Sequence, residues 1–277
     1  MFPPVFLAKN WTFNESLNGS LTALTCSNCS LSSKRCNELL KKLPLLSQLD
    51  LSQTVALTDD AFKGVSLSRL EHVNLSGCEL VSDRGLAELL AKSARGLQSL
   101  LVRWCDVSDG FFAAFAAPSL TLLDVSHCKK VSPSSIGFWS QLCPRLSNLS
   151  VAFCERITLE WPLLSLCSAL SELHADGLTL PSPLVHGSEI VRLLAMRSLT
   201  LLSCEQLDDT SLLSIGTAFP NLTNLDVSFC VRVSQTALKT LCASHRNLFR
   251  LRIKGLSQLL GPTTIASLVG VGKLVIL

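Results

Sequence analysis

The sequence predicts an α/β solenoid, a stack of about ten short strand–turn–helix repeats with parallel strands on a concave face and helices on a convex one. Three observations predict it. The template L-x-x-L-x-L-x-x-C recurs in LEHVNLSGC (70–78), LTLLDVSHC (120–128), LSNLSVAFC (146–154) and LTNLDVSFC (222–230), with Val or Ile often in the sixth position. Stepped along the chain, its first position falls at Leu21, Leu46, Leu70, Leu97, Leu120, Leu146, Leu170, Met196, Leu222, Leu248 and Leu274, at intervals of 23 to 27 residues. An aliphatic residue followed by Ser, Thr or Asp comes about three residues after each ninth position. A fixed period in this range marks an architecture whose units cannot bury their apolar faces alone and must stack.

Each part of the repeat has its own physical reason. The x-L-x-L core alternates apolar and polar residues, the period of a half-buried strand. The pairs Val81-Ser82, Val107-Ser108, Leu207-Asp208 and Val233-Ser234 place an oxygen-bearing side chain where a helix begins, as do Leu57-Thr58 and Ile157-Thr158. Such a side chain accepts from an unpaired first-turn N–H. The acids Asp83, Asp109 and Asp209, one residue on, also suit the positive end of the helix dipole. Leu86, Leu89 and Leu90, and Leu238 and Leu241, then give the helical spacing. One repeat domain is expected over residues 21–277, with about ten full repeats and a truncated eleventh, behind an N-terminal flank at residues 1–20.

Composition excludes several functions. Charged residues are 16 % and the hydrophobic set 48 %, and the net charge of +3 is spread without a basic cluster. Nucleic acid is therefore not expected as a partner, because phosphate binding needs concentrated Lys and Arg. Residues 1–8 are apolar but too short to span a bilayer and lack a basic lead-in, so neither a membrane nor a secretory signal is expected. Seven of the twelve cysteines recur at the ninth position: Cys29, Cys78, Cys105, Cys128, Cys154, Cys204 and Cys230. A small, weakly hydrogen-bonding side chain suits an inward turn there. Neighbouring thiols would lie close, but their Cα–Cβ vectors run parallel, which disfavours bridging. Reduced cysteines place the protein in the cytoplasm or nucleus.

No catalytic or metal-binding motif emerges. Cys26-x2-Cys29 with Cys36 has the spacing of half a binuclear zinc cluster, but the other half is missing and two of its members sit at core positions of the repeat. Residues 270–273 (GVGK) lack both the leading Gly and the Ser or Thr of a phosphate loop. The five histidines form no pair with ligand spacing. The chain is not expected to be an enzyme or to carry a cofactor or metal.

The recurrent Cys, the period near 26 and the V/I-S/T-D cap resemble the cysteine-containing class of leucine-rich repeat, best known from F-box/leucine-rich-repeat proteins and the antagonist-of-mitotic-exit-network family. Pieces such as LCPRLSNLSVAFCERIT (142–158) are close to the class pattern, and the resemblance runs over roughly residues 21–277. It implies a right-handed horseshoe that holds a protein or peptide on its concave face. In the F-box relatives the solenoid recruits substrates to an SCF-type cullin–RING ubiquitin ligase for protein degradation. Residues 1–20 are too few for an F-box, so contact with a ligase is expected through a missing N-terminal segment. A binding protein without ligase duties, an inhibitor of the mitotic-exit type or a scaffold, is the alternative.

The template also locates a binding surface. Its fifth and eighth positions are expected to face outward, which sets Arg103, Trp104, His127 and Phe153 side by side at the strand ends, with Phe229 further along. Trp, Arg and Phe are favoured at interface centres, although aromatic residues there also serve as edge packing. Arg250, Arg252 and Lys254 share one strand face, so the concave surface should run from acidic, with Asp50, Asp124 and Asp226, to basic, a match for an acidic peptide. In the seventh repeat Pro181, Pro183 and Gly187 predict a protruding loop where other repeats start a helix.

Overall fold

A computed structural model describes residues 20–159, 164–180, 193–256 and 275–276. The chain divides into two compact units, Met1–Leu146 and Ser147–Leu277. The expected loop around Pro181 to Gly187 lies outside the described residues.

In the first unit the apolar fourth and sixth positions produce strands of three residues: β1 (Ala23–Thr25), β2 (Gln48–Asp50), β3 (His72–Asn74), β4 (Ser99–Leu101) and β5 (Leu122–Asp124). They pair in chain order, all parallel, with the fourth-position residues Leu24, Leu49, Val73, Leu100 and Leu123 in register. The second unit repeats the arrangement in β6 (Asn148–Ser150), β7 (Glu172–His174), β8 (Ser198–Thr200), β9 (Asn224–Asp226), β10 (Arg250–Arg252) and β11 (Val275–Ile276). Every first-position residue from Leu21 to Leu248 is buried, as is every fourth and sixth position through Ile253. Each repeat thus contributes one rung to the apolar column of its own unit, and the α/β solenoid expected from the sequence is present in both units.

The ninth-position residue joins consecutive rungs. The thiols of Cys78, Cys105 and Cys128 donate to the sixth-position carbonyls of Leu51, Leu75 and Val102 in the preceding repeat, at 3.2, 3.2 and 3.1 Å. In the second unit Cys204 and Cys230 do the same to Ala175 and Leu201. Thr54 stands where the second repeat has no Cys, and its hydroxyl donates to the Cys26 carbonyl at 3.1 Å. The position therefore requires a small side chain with one proton to give, and Thr meets the requirement as Cys does. All twelve cysteines are reduced.

The helices follow the predicted caps. In the first unit Ser32, Ser82, Ser108 and Ser132 cap α1 (Ser33–Lys41), α2 (Asp83–Leu90), α3 (Asp109–Ala114) and α4 (Pro133–Leu142). In the second, Asp208 and Ser234 cap α5 (Asp209–Ala218) and α6 (Gln235–Ser244). The helix expected after Thr58 is only a 3-10 turn, Asp59–Ala61, and the Thr58 hydroxyl pairs with Ser33 instead of capping it. Gly64, at φ +66°, turns the chain away within a few residues.

The aspartates after the caps do more than complement a dipole. Asp59, Asp83 and Asp109 each accept the backbone N–H and the hydroxyl of the next repeat's capping serine, Ser82, Ser108 and Ser132 respectively, through both carboxylate oxygens. Asp209 holds Ser234 in the same way in the second unit. A second ladder of charge-assisted hydrogen bonds, between helix starts, runs parallel to the ladder of thiols.

Candidate functional site

The eighth position decides how the predicted surface is built. In all ten repeats its residue is left-handed, with φ between +52° at Asn28 and +80° at Gly77. The conformation turns the backbone N–H toward the next repeat once the strand has ended. Gly77 donates to the Arg103 carbonyl at 2.7 Å, Trp104 to Ser126 at 3.0 Å, Phe153 to Asp176 at 2.7 Å and Phe229 to Lys254 at 2.8 Å. Left-handed backbone is uncommon for bulky residues. At Trp104, Phe153 and Phe229, at φ +62°, +55° and +61°, the inter-repeat hydrogen bond offsets its cost, and His127 shares the conformation at +60°.

The side chains of Trp104, Phe153 and Phe229 lie along the stack, each over the eighth-position residue of the following repeat. The Trp104 indole lies on the His127 imidazole with ring centres 3.8 Å apart and planes 9° from parallel. Phe153 covers Gly177 and Phe229 covers Gly255, so closely that a Cβ on either glycine would collide with the ring. One ring face packs along the repeat edge, and the side chains of Trp104, Phe153 and Phe229 remain 43, 38 and 43 % exposed. Replacing Gly177 by alanine is expected to cost about 2–4 kcal/mol, part from forcing Ala into a left-handed conformation and part from the clash. In a Phe153→Ala background only the conformational part, about 1–2 kcal/mol, should remain. Urea denaturation of the four proteins reads the difference, and equal losses in both backgrounds would show that the ring does not rest on Gly177.

In the first unit Arg103, Trp104 and His127 come together as expected. Arg103 Nε lies 3.6 Å from Asp124 Oδ2. The other oxygen of Asp124 accepts the backbone N–H of Ser126 at 2.9 Å and its hydroxyl at 2.5 Å. A carboxylate fixed by its own turn therefore aims a half-exposed guanidinium beside the indole. Burial, together with the Arg103 charge, lowers the His127 pKa below its usual value against an opposing pull from Asp124. A neutral imidazole is thus favoured under the indole. The platform is one flat aromatic surface with one oriented cation at its edge.

The second unit holds Phe153, over Gly177, and a separate group formed by Phe229 and β10. Arg250, Arg252 and Lys254 are all exposed on one strand face, and the Lys254 carbonyl accepts from Phe229. Arg252 faces Asp226 at 3.9 Å. The three aspartates named with the expected acidic surface are engaged by their own turns. Asp50, Asp124 and Asp226 each accept the N–H two residues on, at 2.9 Å, and Asp226 is only 8 % exposed. Aspartates in such turns accept from local backbone. Sequence reasoning missed this, although the Ser after each of them, Ser52, Ser126 and Ser228, is a recurrent sign of the turn.

Among the described residues no group of three or more His, Cys, Asp or Glu is placed to hold a metal ion, and no helix is long and apolar enough to cross a membrane. The fold, with its thiol ladder and left-handed edge, is that of a leucine-rich-repeat solenoid in each unit. A leucine-rich-repeat family model matches residues 68–90, the third repeat. Over 218 residues, 74 % of the chain, the sequence is 27 % identical to F-box/LRR-repeat protein 17 of Arabidopsis thaliana, and over 154 residues it is 29 % identical to BTB/POZ domain-containing protein FBL11 of the same plant. The chain spans 35 % and 15 % of the lengths of these two relatives. Among solved structures, a chain of the yeast Rad7–Elc1 complex aligns at TM-score 0.51 and 18 % identity, covering 93 % of this chain and 74 % of that one. Internalin F of Listeria monocytogenes aligns at 0.55 and 15 %, covering 93 % and 80 %. These likenesses show the fold.

Proposed function

We propose that the chain is a protein-binding module that recognises substrates for an SCF-type ubiquitin ligase, with the Arg103–Trp104–His127 platform as its principal anchor. The observation that carries the binding role is the platform itself. A half-exposed indole is backed by an imidazole, fixed by a left-handed backbone hydrogen bond and flanked by an oriented guanidinium. Preorganised Trp and Arg side chains lose little entropy on docking, which is why such residues dominate interface energetics. In the second unit, the basic face of β10 with Phe229 offers a contact of its own for an acidic stretch. The ligase role rests on the likeness to the F-box/LRR-repeat relative and is an inference by resemblance.

The test uses the full-length protein, purified from cells with the proteasome blocked. Cullin and RING subunits should co-purify, together with proteins that accumulate under the block. The double variant Arg103→Ala/Trp104→Gly should keep the ligase subunits and lose the accumulating proteins, with affinity for an identified partner falling about a hundredfold or more. Glycine is the better replacement for Trp104 because three repeats already carry it at this position, so the left-handed backbone is retained. Recovery without any cullin–RING subunit would remove the ligase role. An unchanged set of partners in the double variant would remove the platform.

A further inference from the structure

The helix face of the first unit carries a feature that protein recognition on the strand face does not use. Beside α2 and α3 lies a cavity of about 690 Å³, within the range of roughly 300–1,000 Å³ typical of small-molecule sites. Its origin is local. The fourth repeat has the shortest interval in the chain, 23 residues from Leu97 to Leu120, and its helix α3 has only six residues against eight in α2 and ten in α4. The chain leaves α3 at Phe115 in an extended conformation. The side chains facing the space are small: Ala87, Ala91, Ala114 and Ala116 line it and are exposed. Phe111 and Phe115, stacked with ring centres 4.7 Å apart, supply an aromatic wall.

The rim is cationic. Arg84, Lys92 and Arg95 line the cavity, with Asp83 as its one acid. The Asp83 carboxylate is engaged by the N–H and hydroxyl of Ser108, and Arg84 is turned toward Asp59, at 3.3 Å. Among the described residues Lys92 and Arg95 have no ion-pair partner. An apolar floor under two uncompensated cations fits one kind of occupant. We propose that this cavity is a binding site for a small amphiphilic anion, an aromatic or aliphatic body carrying a single carboxylate, sulfonate or phosphate. Its body would lie against Phe111 and the alanines, and its charged group between Lys92 and Arg95. Burial of the body supplies the affinity and the two cations select for the anion.

Two fluorescent probes test this: 1-anilinonaphthalene-8-sulfonate, an apolar anion, and N-phenyl-1-naphthylamine, its neutral counterpart. The sulfonate should bind the intact protein at one equivalent and more tightly than the amine, and Trp104→Gly should not alter it. Filling the cavity with Ala91→Trp or Ala114→Phe, both at exposed positions where extra volume is not forced into the core, should weaken both probes about tenfold or more. Lys92→Glu/Arg95→Glu should weaken the sulfonate about tenfold at low salt, with less loss at high salt, while leaving the amine unchanged. Saturable sulfonate binding that is lost in the filled variants, with unchanged thermal melts, supports the site. Equal uptake by the filled variants, or no uptake of either probe, overturns it and leaves the cavity to a side chain of a protein partner. An equal effect of the charge reversal on both probes overturns the anion preference. Neither arm depends on the platform, so failure here and failure of the protein-binding role are distinguishable.

Discussion

Raising the pH above about 9 under reducing conditions is expected to unfold the protein, because its core is built around protonated thiols. Burial pushes Cys26, Cys78, Cys143, Cys204 and Cys242 from the ordinary 9.0 up to about 11, and Cys36 and Cys230 up to about 12, with Cys105 displaced further in the same direction. For Cys230 the opposing backbone hydrogen bond and the neighbouring Cys204 charge are smaller influences than burial. The folded state holds its protons more tightly than the unfolded chain does. Stability from these thiols is therefore complete below the unfolded value near 9 and is lost progressively as the pH rises through 11 and 12. A group displaced from 9 to about 11 loses roughly 2–3 kcal/mol over that span, and several together exceed the 5–15 kcal/mol that holds a typical domain. The urea midpoint should stay level from pH 7 to 9 and then fall steeply. Replacing Cys78, Cys105 and Cys230 by serine keeps a donor for the carbonyls of Leu51, Leu75 and Leu201 but removes the titration, so the triple variant should lose less between pH 9 and 11. A midpoint flat to pH 11, or the same slope in the variant, would refute the account. At neutral pH the same displacement lowers the thiolate fraction about a hundredfold, and half-buried Cys29 should be the first to react with a disulfide reagent.

Such a core was legible in the sequence because repetition multiplies a weak local signal. No single run such as LEHVNL (70–75) distinguishes a three-residue strand from a loop, but the same spacing in repeat after repeat sets strand register, burial and the thiol column together. Arg103, Trp104 and His127 were readable as neighbours for the same reason, since residues one period apart must stand side by side. The direction of their side chains was not readable. Trp104 and Phe229 adopt a backbone conformation that their own types disfavour, and only their company at that position, Gly77, Gly177, Gly255 and Asn28, signals it. The Asp–Ser ladder was hidden because each aspartate has a sufficient local explanation at a helix start. Its partner is one period away, and Asp83 with Ser108 or Asp209 with Ser234 becomes a pair only when caps are compared between repeats. The cavity beside α3 left only a short interval and a run of alanines as traces.

Trp139→Ala should be the most damaging single truncation on the helix side of the first unit, at about 3–5 kcal/mol. Trp139 is 1 % exposed and among the largest fully buried side chains. Its ring on α4 meets Phe112 on α3 edge-to-face, with centres 5.2 Å apart and planes at 85°, which closes the interface between the fourth and fifth repeats. The indole N–H is buried with no acceptor among the described residues. The site therefore uses the area of the ring and gains nothing from its polarity. Trp139→Phe should accordingly cost only about 1 kcal/mol, because the lost area is partly offset by relief of an unsatisfied donor worth about 1–3 kcal/mol. If phenylalanine is as damaging as alanine, the N–H has a partner and the packing argument fails. The unfolding profile carries a further consequence. Repeats in a stack contact only their neighbours, so a cavity at one interface weakens one coupling and leaves the others intact. Trp139→Ala should broaden the urea transition and lower its apparent m-value as the fourth and fifth repeats uncouple, whereas Trp139→Phe should leave a single sharp transition.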